Sequence, residues 1–526
     1  MSGSVTHAPA VLSLDRMDET QRYAEFDRLQ ATMPAVWEIM RLNLEGESVV
    51  VVPSVTVDRV GARSGAMTQA YEERFLFLLL LLREPRLHVV YVTSMPVQQA
   101  IIEYYLALLP GVIPSHARAR LHLVAVGDSS PRPLSQKLLE RPRLLRRIRD
   151  LVPDPSRSHL VPYNTTTLER DIAIQLGVPM YGADPRLFAW GTKSGCRRLF
   201  AEEDVQHPLG AEYLRSVEDV VAALETMRSA RPMSSAIVKL NEGVSGAGNA
   251  MVDLSGLPAP GSGDEKDLLR QRVLDMRFES DDMRLDGYLA KLAERAGVVE
   301  DLVSGREVRS PSVQLRVLPS GQVELLSTHD QLLGGPSGQS YLGARFPADI
   351  AYARAISAEA RTIGARLARE GVLGRFAIDF VVVRENDGSW TPYAIEINLR
   401  KGGTTHPFLT LQFLTDGRYD ADTGLFMTPS GSEKHLVATD HLESPVLKGL
   451  LLDDLFDVIA RHGLHFDQSR QTGVVLHMLS CLTEEGRIGL TAVGDSPSDA
   501  DHSYRRAERI LLDEARLALS DLPPVG

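Results

Sequence analysis

The sequence predicts an α/β protein with α+β parts, and three observations predict it. Strand-like apolar runs alternate with helical patterns through the first third of the chain, the rhythm of a parallel sheet with covering helices. From about residue 185 the rhythm shifts to paired strands around turn signals. An αββα pattern closes the chain from about Pro445. At 526 residues the chain is too long for one domain of ordinary size.

Each element follows from local pattern. Residues 1–45 read as a polar amphipathic arm ending in helix. Ser48–Asp58 (SVVVVPSVTVD) contains a buried strand. Thr68–Arg83 reads as a helix; its apolar run FLFLLLLL, 75–82, lies between Arg74 and Arg83 and is far too short to span a bilayer. Leu87–Thr93 reads as a strand, Val97–Leu109 as a helix and Arg120–Val126 as a strand. Leu134–Leu151 reads as a basic helix whose arginines, 141, 143, 146, 147 and 149, suit a solvated or domain-facing surface. His159–Tyr163 is a strand and Thr166–Leu176 a helix. Then come the helix Lys193–Glu203, the strand Ala236–Leu240, a Gly-rich loop Asn241–Asn249 and an exposed loop Leu254–Glu265. Val298–Val303 and Pro311–Leu318 read as strands, Gly321–Ser327 as a hairpin partner and Ala348–Glu370 as a long helix. Strands at 376–383 and 391–398 flank Asp387-Gly388, a strong hairpin signal. The tail reads as a separate small unit: helix Leu447–Arg461, a hairpin of Thr472–Leu482 and Arg487–Val493 across Glu485-Gly486, and a closing helix Ser496–Leu519.

Composition excludes several classes. A net charge of −12 argues against general nucleic-acid binding. The cysteines Cys196 and Cys481 form neither a disulfide framework nor a zinc motif and suit a reducing cytoplasm. The opening MSGSVTHAPAVLSLD lacks a basic start followed by an apolar core, so no secretory leader and no membrane partner are expected.

The chemistry concentrates in 394–408, AIEINLRKGGTTHPF. Glu396, Asn398 and Arg400 alternate along a strand-like run and so share a face. Such a set is costly as packed core and suits Mg²⁺ and a nucleotide triphosphate. The preceding strand, GRFAIDFVVV, carries Asp379, and antiparallel pairing brings it beside Glu396. Two like charges at close range call for a cation between them. Upstream, AIVKLNEGVSGAGNAM ends a strand at Lys239 and enters a loop with Glu242, Gly243, Ser245, Gly246 and Gly248. Glycines let backbone N–H groups approach a phosphate, although GxxxxGK[ST] is absent and an ordinary turn fits as well. Lys193 opens a helix, where a cation opposes the helix dipole; it reads either as solvated or as aimed at a phosphate.

Taken in order, these motifs resemble the ATP-grasp ligases over about residues 185–420: GTK at Lys193, IVKLNEGVSGAG from Lys239, VVEDLV from Val298 to Val303, AIDF at Asp379, and EINLR from Glu396 to Arg400. The resemblance implies ATP as cosubstrate and Mg²⁺, or Mn²⁺ in its place. It implies that Lys193 and Lys239 contact phosphates and that the loop Glu242–Gly248 closes over them. Glu300 would accept from the adenine amino group, while the backbone of Asp301, Leu302 and Val303 reads the ring. Asp379, Glu396 and Asn398 would hold the metal, and Arg400 would stabilise the acyl phosphate or tetrahedral intermediate. Some members place an arginine two residues before the first metal acid; here that position is Ala377, and Arg375 is the candidate substitute.

The opening VVVVPSVTVD, the segment Ser327–Asp349 (STHDQLLGGPSGQSYLGARFPAD) and the tail Gly463–Pro497 further resemble the pheganomycin-type peptide ligases. That subfamily implies an ATP-grasp architecture with a Rossmann-like pre-ATP-grasp domain at 46–185. A grasp core follows at 186–440, with a lid about 190–305 and a metal-binding part about 306–440. A small αββα domain at 445–526 completes it. It also implies amide bond formation between small-molecule or peptide carboxylates and amines in specialised metabolism; oligomeric state, a homodimer included, is left open. His329, Asp330 and Arg345, around the Gly-rich 334–343, read as candidates for a mobile substrate loop or as a structural hairpin. His477 reads as a core histidine. Two other readings stay open: a carboxylase acting through carboxyphosphate, though no AMKM-like biotin acceptor is present, and a non-catalytic nucleotide-binding regulator.

Overall fold

The computed structural model describes residues 14–42, 46–56, 64–243, 246, 248–280, 282–335, 338 and 340–520. Strands β1 (Glu47–Val52), β2 (Leu87–Thr93), β3 (Leu121–Ala125) and β4 (Ser158–Pro162) form a parallel sheet in the order β3-β2-β1-β4. Every residue of β1 and β4 is buried, which is why the valine run does not alternate: helices cover both faces. The helix Thr167–Leu176 starts at a capping box between Thr166 and Glu169 and ends at Gly177 in the left-handed region. The N-terminal arm is docked. Phe26 and Leu29 of the helix Glu19–Gln30 enter the core of this sheet, and Arg22 pairs with Asp171.

Two expected helices are broken. Thr68–Arg83 is an α-helix Gly65–Glu73 followed by a 3₁₀ segment Leu76–Arg83. The leucines of that segment are buried on several sides, so no amphipathic stripe sets the helical repeat. Leu134–Leu151 divides into Leu134–Leu139 and Pro142–Asp150, because Pro142 lacks an N–H and starts the second helix afresh.

An antiparallel sheet follows. It contains β5 (Gly210–Leu214), β6 (Ser235–Leu240), β7 (Asn249–Asp253), β8 (Arg277–Phe278) and β9 (Gly297–Asp301), ordered β5-β9-β6-β7-β8. The main sheet has nine strands. They are β10 (Val308–Arg309), β11 (Pro311–Val317), β12 (Val323–Gly334), β13 (Ser340–Phe346), β14 (Gly374–Arg384) and β15 (Trp390–Asn398), then, after a small hairpin of β16 (Arg418–Asp420) and β17 (Leu425–Met427), β18 (His435–Glu443), β19 (Gly473–His477) and β20 (Arg487–Gly494). The order is β10-β14-β11-β12-β13-β18-β20-β19, with β15 on the other side of β14.

The C-terminal pattern is therefore helix Leu452–Arg461, β19, β20 and helix Pro497–Ser520, as expected, but its hairpin is not a separate sheet. β20 pairs with β18 and extends the main sheet. Nor is its turn tight: β19 stops at His477, and Met478 takes a left-handed backbone before a 3₁₀ and a short α segment reach Arg487. The apolar run at 75–82 shares one core with β18, β19 and β20. Tyr105 donates to the Leu476 carbonyl at 3.1 Å. Among the described residues no helix is long and apolar enough to cross a membrane.

Candidate active site

The hairpin of β14 and β15 builds the centre of the site. Gly388 supplies the positive φ its turn needs, and Asp379 lies directly opposite Glu396 in the register. Asn398 Nδ2 donates to Asp379 Oδ2 at 2.9 Å, and Gln331 Nε2 donates to Oδ1 at 2.8 Å. Burial, then the Glu396 charge, push the Asp379 carboxyl up to about 6, against the pull of Ser312, Arg400 and Gln331. Neutral amides thus hold a carboxylate beside a second acid. Two acids and a carboxamide that converge without full compensation suit the hard oxygen donors a divalent cation takes.

Lysines flank this centre. Lys193, the first residue of the helix Lys193–Glu202, places Nζ 3.1 Å from Glu396 Oε1. That pairing offsets the cation's conflict with the helix N-terminus. Lys239, the last residue but one of β6, reaches Glu300 Oε2 at 2.5 Å, while Arg197 Nη1 holds Glu300 Oε1 at 3.0 Å. Burial alone would raise Glu300, but the two cations outweigh it and hold the carboxyl below its usual range. Each Glu300 oxygen thus accepts from one cation, Lys239 or Arg197.

Lys193, Lys239, Glu300, Asp379, Glu396 and Asn398 line one cavity of about 700 Å³ between the β5–β9 sheet and the main sheet. Gly243, Gly246 and Gly248 of the loop line it; Ser245 lies outside the described residues, and Glu242 lines a neighbouring cavity of about 250 Å³. Leu302 and Val303, with Ile237, Met251 and Val381, make an apolar wall, and Asp301 lines the cavity beside them. Arg400 lines both cavities but is not a strand residue. β15 ends at Asn398, and the Arg400 amide turns back to the Asn398 carbonyl at 2.7 Å. A Cβ on Gly403 would come within 2.5 Å of the Tyr341 ring, so glycine there makes room for a tyrosine on the cavity wall.

Four expected residues are elsewhere. Arg375 lies four residues before Asp379 on β14, about 13 Å along the strand, beside Tyr181 and Arg316, and does not line the cavity. His329 is fully buried among Phe346 and Phe408, with Nε2 near Ser327 Oγ and Gln314 Nε2. Burial pushes its pKa to about 3, so it is a neutral core histidine. Asp330 accepts from Tyr352 Oη at 2.7 Å on the helix side of β12. Arg345 pairs with Asp501 at the surface. The Gly-rich hairpin does reach the cavity, but through Gln331, Leu333, Ser340 and Tyr341.

Sequence reasoning missed Gln331, Arg197 and a group at the far wall: Arg74, Asp440, His406 and His477. Arg74 Nη1 donates to Asp440 Oδ2 at 2.6 Å. Nε2 of His477 and of His406 lie 2.9 and 3.3 Å from Asp440 Oδ1. Burial would raise Asp440, but Arg74 and the histidines hold it well below the usual carboxylate range. Gln331 and Arg197 sit inside motifs already noticed; the Asp440 group has no local signal.

Two family models match: "IQCH-like, ATP-grasp" over 271–422 and "PGM1 C-terminal domain" over 454–507. A curated relative, the L-propargylglycine--L-glutamate ligase of Streptantibioticus cattleyicolor, is 30% identical over 450 residues, 84% of this chain and 89% of the relative. The chain belongs to the ATP-grasp ligases. ATP and a divalent metal are what ligases of this family use, and small molecules are their substrates. The ligase is also 23% identical to the IQ motif-containing protein H of Danio rerio over 75% of this chain and 42% of that protein. Among solved structures, biotin carboxylase from Campylobacter jejuni matches with a TM-score of 0.52 at 12% identity, covering 90% of this ligase and 95% of that chain. The biotin carboxylase domain of the Hydrogenobacter thermophilus 2-oxoglutarate carboxylase matches at 0.50 and 12%, covering 88% and 89%. Both show the fold alone.

Proposed function

We propose that this ligase activates a carboxylate as an acyl phosphate and joins it to the amine of an amino acid or peptide, releasing ADP, in specialised metabolism. The amino-acid substrates in the name of the Streptantibioticus relative support that substrate class. One observation carries the reading: Asp379 opposite Glu396, flanked by Lys193 and Asn398, inside the large cavity.

A carboxylate is a poor electrophile towards an amine. Asp379, Glu396 and Asn398 would hold Mg²⁺, or Mn²⁺ in its place, which when bound neutralises phosphate charge and orients the transferred group. Lys193 and Lys239 bring fixed positive charge to the phosphates, Lys239 being aimed by Glu300. The backbone of Gly243, Gly246 and Gly248 approaches them. The backbone of Asp301, Leu302 and Val303 reads the base against the apolar wall. Arg400, between the two cavities, meets the acyl phosphate. A carboxylate oxygen takes the γ-phosphoryl group as its bond to ADP breaks; a neutral amine then attacks the acyl carbon, the C–N bond forms, the C–O bond to phosphate breaks, and the amine's proton leaves with the phosphate as hydrogen phosphate. Water competes for the same carbon, so the loaded site must keep it out. The free, buried cysteines Cys196 and Cys481 support a cytoplasmic enzyme.

Hydroxylamine as surrogate amine tests the chemistry. With ATP, Mg²⁺ and the cognate acid, the expected products are a hydroxamate, ADP and phosphate, and Arg400→Ala should abolish the hydroxamate. Formation of AMP and pyrophosphate would overturn the mechanism. A requirement for bicarbonate would favour carboxyphosphate chemistry instead.

A further inference from the structure

Arg74 caps the C-terminus of the helix Gly65–Glu73 and is 4% exposed. Only Nη1 is engaged, by Asp440. Nε and Nη2 are buried and have no partner among the described residues. These two N–H groups form one edge of the guanidinium, the side-on edge that matches the two oxygens of a carboxylate. The plane is held: its carbon lies 4.9 Å from the Tyr71 ring centre and 5.4 Å from that of Tyr163. Asp440 is itself fixed by His406 and His477 through its other oxygen. Arg74, Asp440, Tyr71, Tyr163 and Tyr341 all line the cavity that contains Asp379 and Glu396. Arg74 lines the cavity and keeps a bidentate edge without a partner among the described residues, so it can receive an anion; leaving charged donors unmatched in the interior is otherwise costly.

We infer that Arg74 is the receptor for a free substrate carboxylate, one that survives into the product. This rests on the ligase reading above. The carboxylate being activated must lie at the metal-binding acids on β14 and β15. Asp440 is on β18, with β11, β12 and β13 between. That is four strand spacings, about 19 Å on a flat sheet and less across a curved one. The anion at Arg74 therefore belongs to the remote end of a substrate: the α-carboxylate of an amino acid or the C-terminus of a peptide. Arg74 binds and positions; it does not touch the reacting carbon.

The test uses the full chain and ADP release. Pairs of proteinogenic L-α-amino acids are compared with the same pairs in which one member is replaced by its α-carboxamide. For the wild type, the amide of the Arg74-bound member should lower kcat/KM on the order of 10²-fold. Arg74→Gln should lower activity on the acid by a similar factor and bring acid and amide within about threefold of each other, with KM for ATP unchanged. Arg74→Lys keeps the charge against Asp440 should Gln fail to fold; it should lose at least about tenfold of the preference, because an ammonium has no fork. Either variant, folded and with the wild-type preference intact, overturns the assignment and leaves the ligase reading standing. No acid-dependent ADP release by the wild type from any pair overturns both.

Discussion

Two carboxylate centres face the same cavity and are treated in opposite ways. Asp440 receives a guanidinium on one oxygen and two imidazole nitrogens on the other, and its charge is held well below the usual range. Asp379 receives two neutral amides and faces Glu396, and its carboxyl is pushed up to about 6. One buried acid is neutralised by the protein; the other is left wanting a cation. Full pairing marks a group that holds something else in place, here Arg74. Incomplete pairing marks a place where charge arrives with the ligand.

The largest expected effect breaks the paired centre. Asp440→Ala strands the Arg74 charge in the interior and should cost about 3–5 kcal/mol of stability, read as a fall in the denaturant midpoint. A midpoint unchanged from wild type would mean that Arg74 finds water or another acceptor. Next comes the partly paired centre. Glu396→Gln relieves repulsion with Asp379 and should leave the fold intact while lowering metal-dependent turnover by roughly 10²–10³. Loss of folding without that specific loss of rate would make Glu396 structural.

Lys239→Met sharpens the comparison from the nucleotide side. It leaves Glu300 with Arg197 alone and should weaken binding of a non-hydrolysable ATP analogue by roughly tenfold or more, measured by titration calorimetry. The smallest effect is at Arg345, once a candidate for the substrate loop. Its exposed pair with Asp501 should contribute no more than about 1 kcal/mol, and Arg345→Ala should leave turnover unchanged.

Much of the partly paired centre was legible in the sequence, because its information is local. The Asp387-Gly388 turn marks the hairpin that brings Asp379 and Glu396 together, and alternation puts Asn398 with them, but the bulge at Ile395 that shifts the register by one and sets Asp379 directly against Glu396 has no sequence signal. Lys193 and Lys239 were legible from their places at a helix start and a strand end. Alternation was extended too far at Arg400, which lies past the end of β15, and at Arg375, which is on the right strand but too distant along it. The glycines of 334–343 drew attention to His329, Asp330 and Arg345, whereas tertiary packing assigns those to the core, to Tyr352 and to Asp501. Of the paired centre only His477 was singled out in the sequence. Arg74 and Asp440 are 366 residues apart and meet only because the C-terminal hairpin joins the main sheet against the N-terminal apolar run. His477, expected to be a satisfied core histidine, is one, but its partner could not be named from the chain.

The contrast between the two centres is tested most directly by Mn²⁺ binding in the presence of ADP, followed by electron paramagnetic resonance on wild type, Glu396→Gln and Asp440→Asn. The His406, Asp440 and His477 ligand atoms lie within 4.8 Å of one another, so this cluster is the natural rival for a metal. Glu396→Gln should abolish nucleotide-dependent Mn²⁺ binding, and folded Asp440→Asn should retain it. Retention in Glu396→Gln with loss in Asp440→Asn would contradict it and move the metal to the histidine cluster.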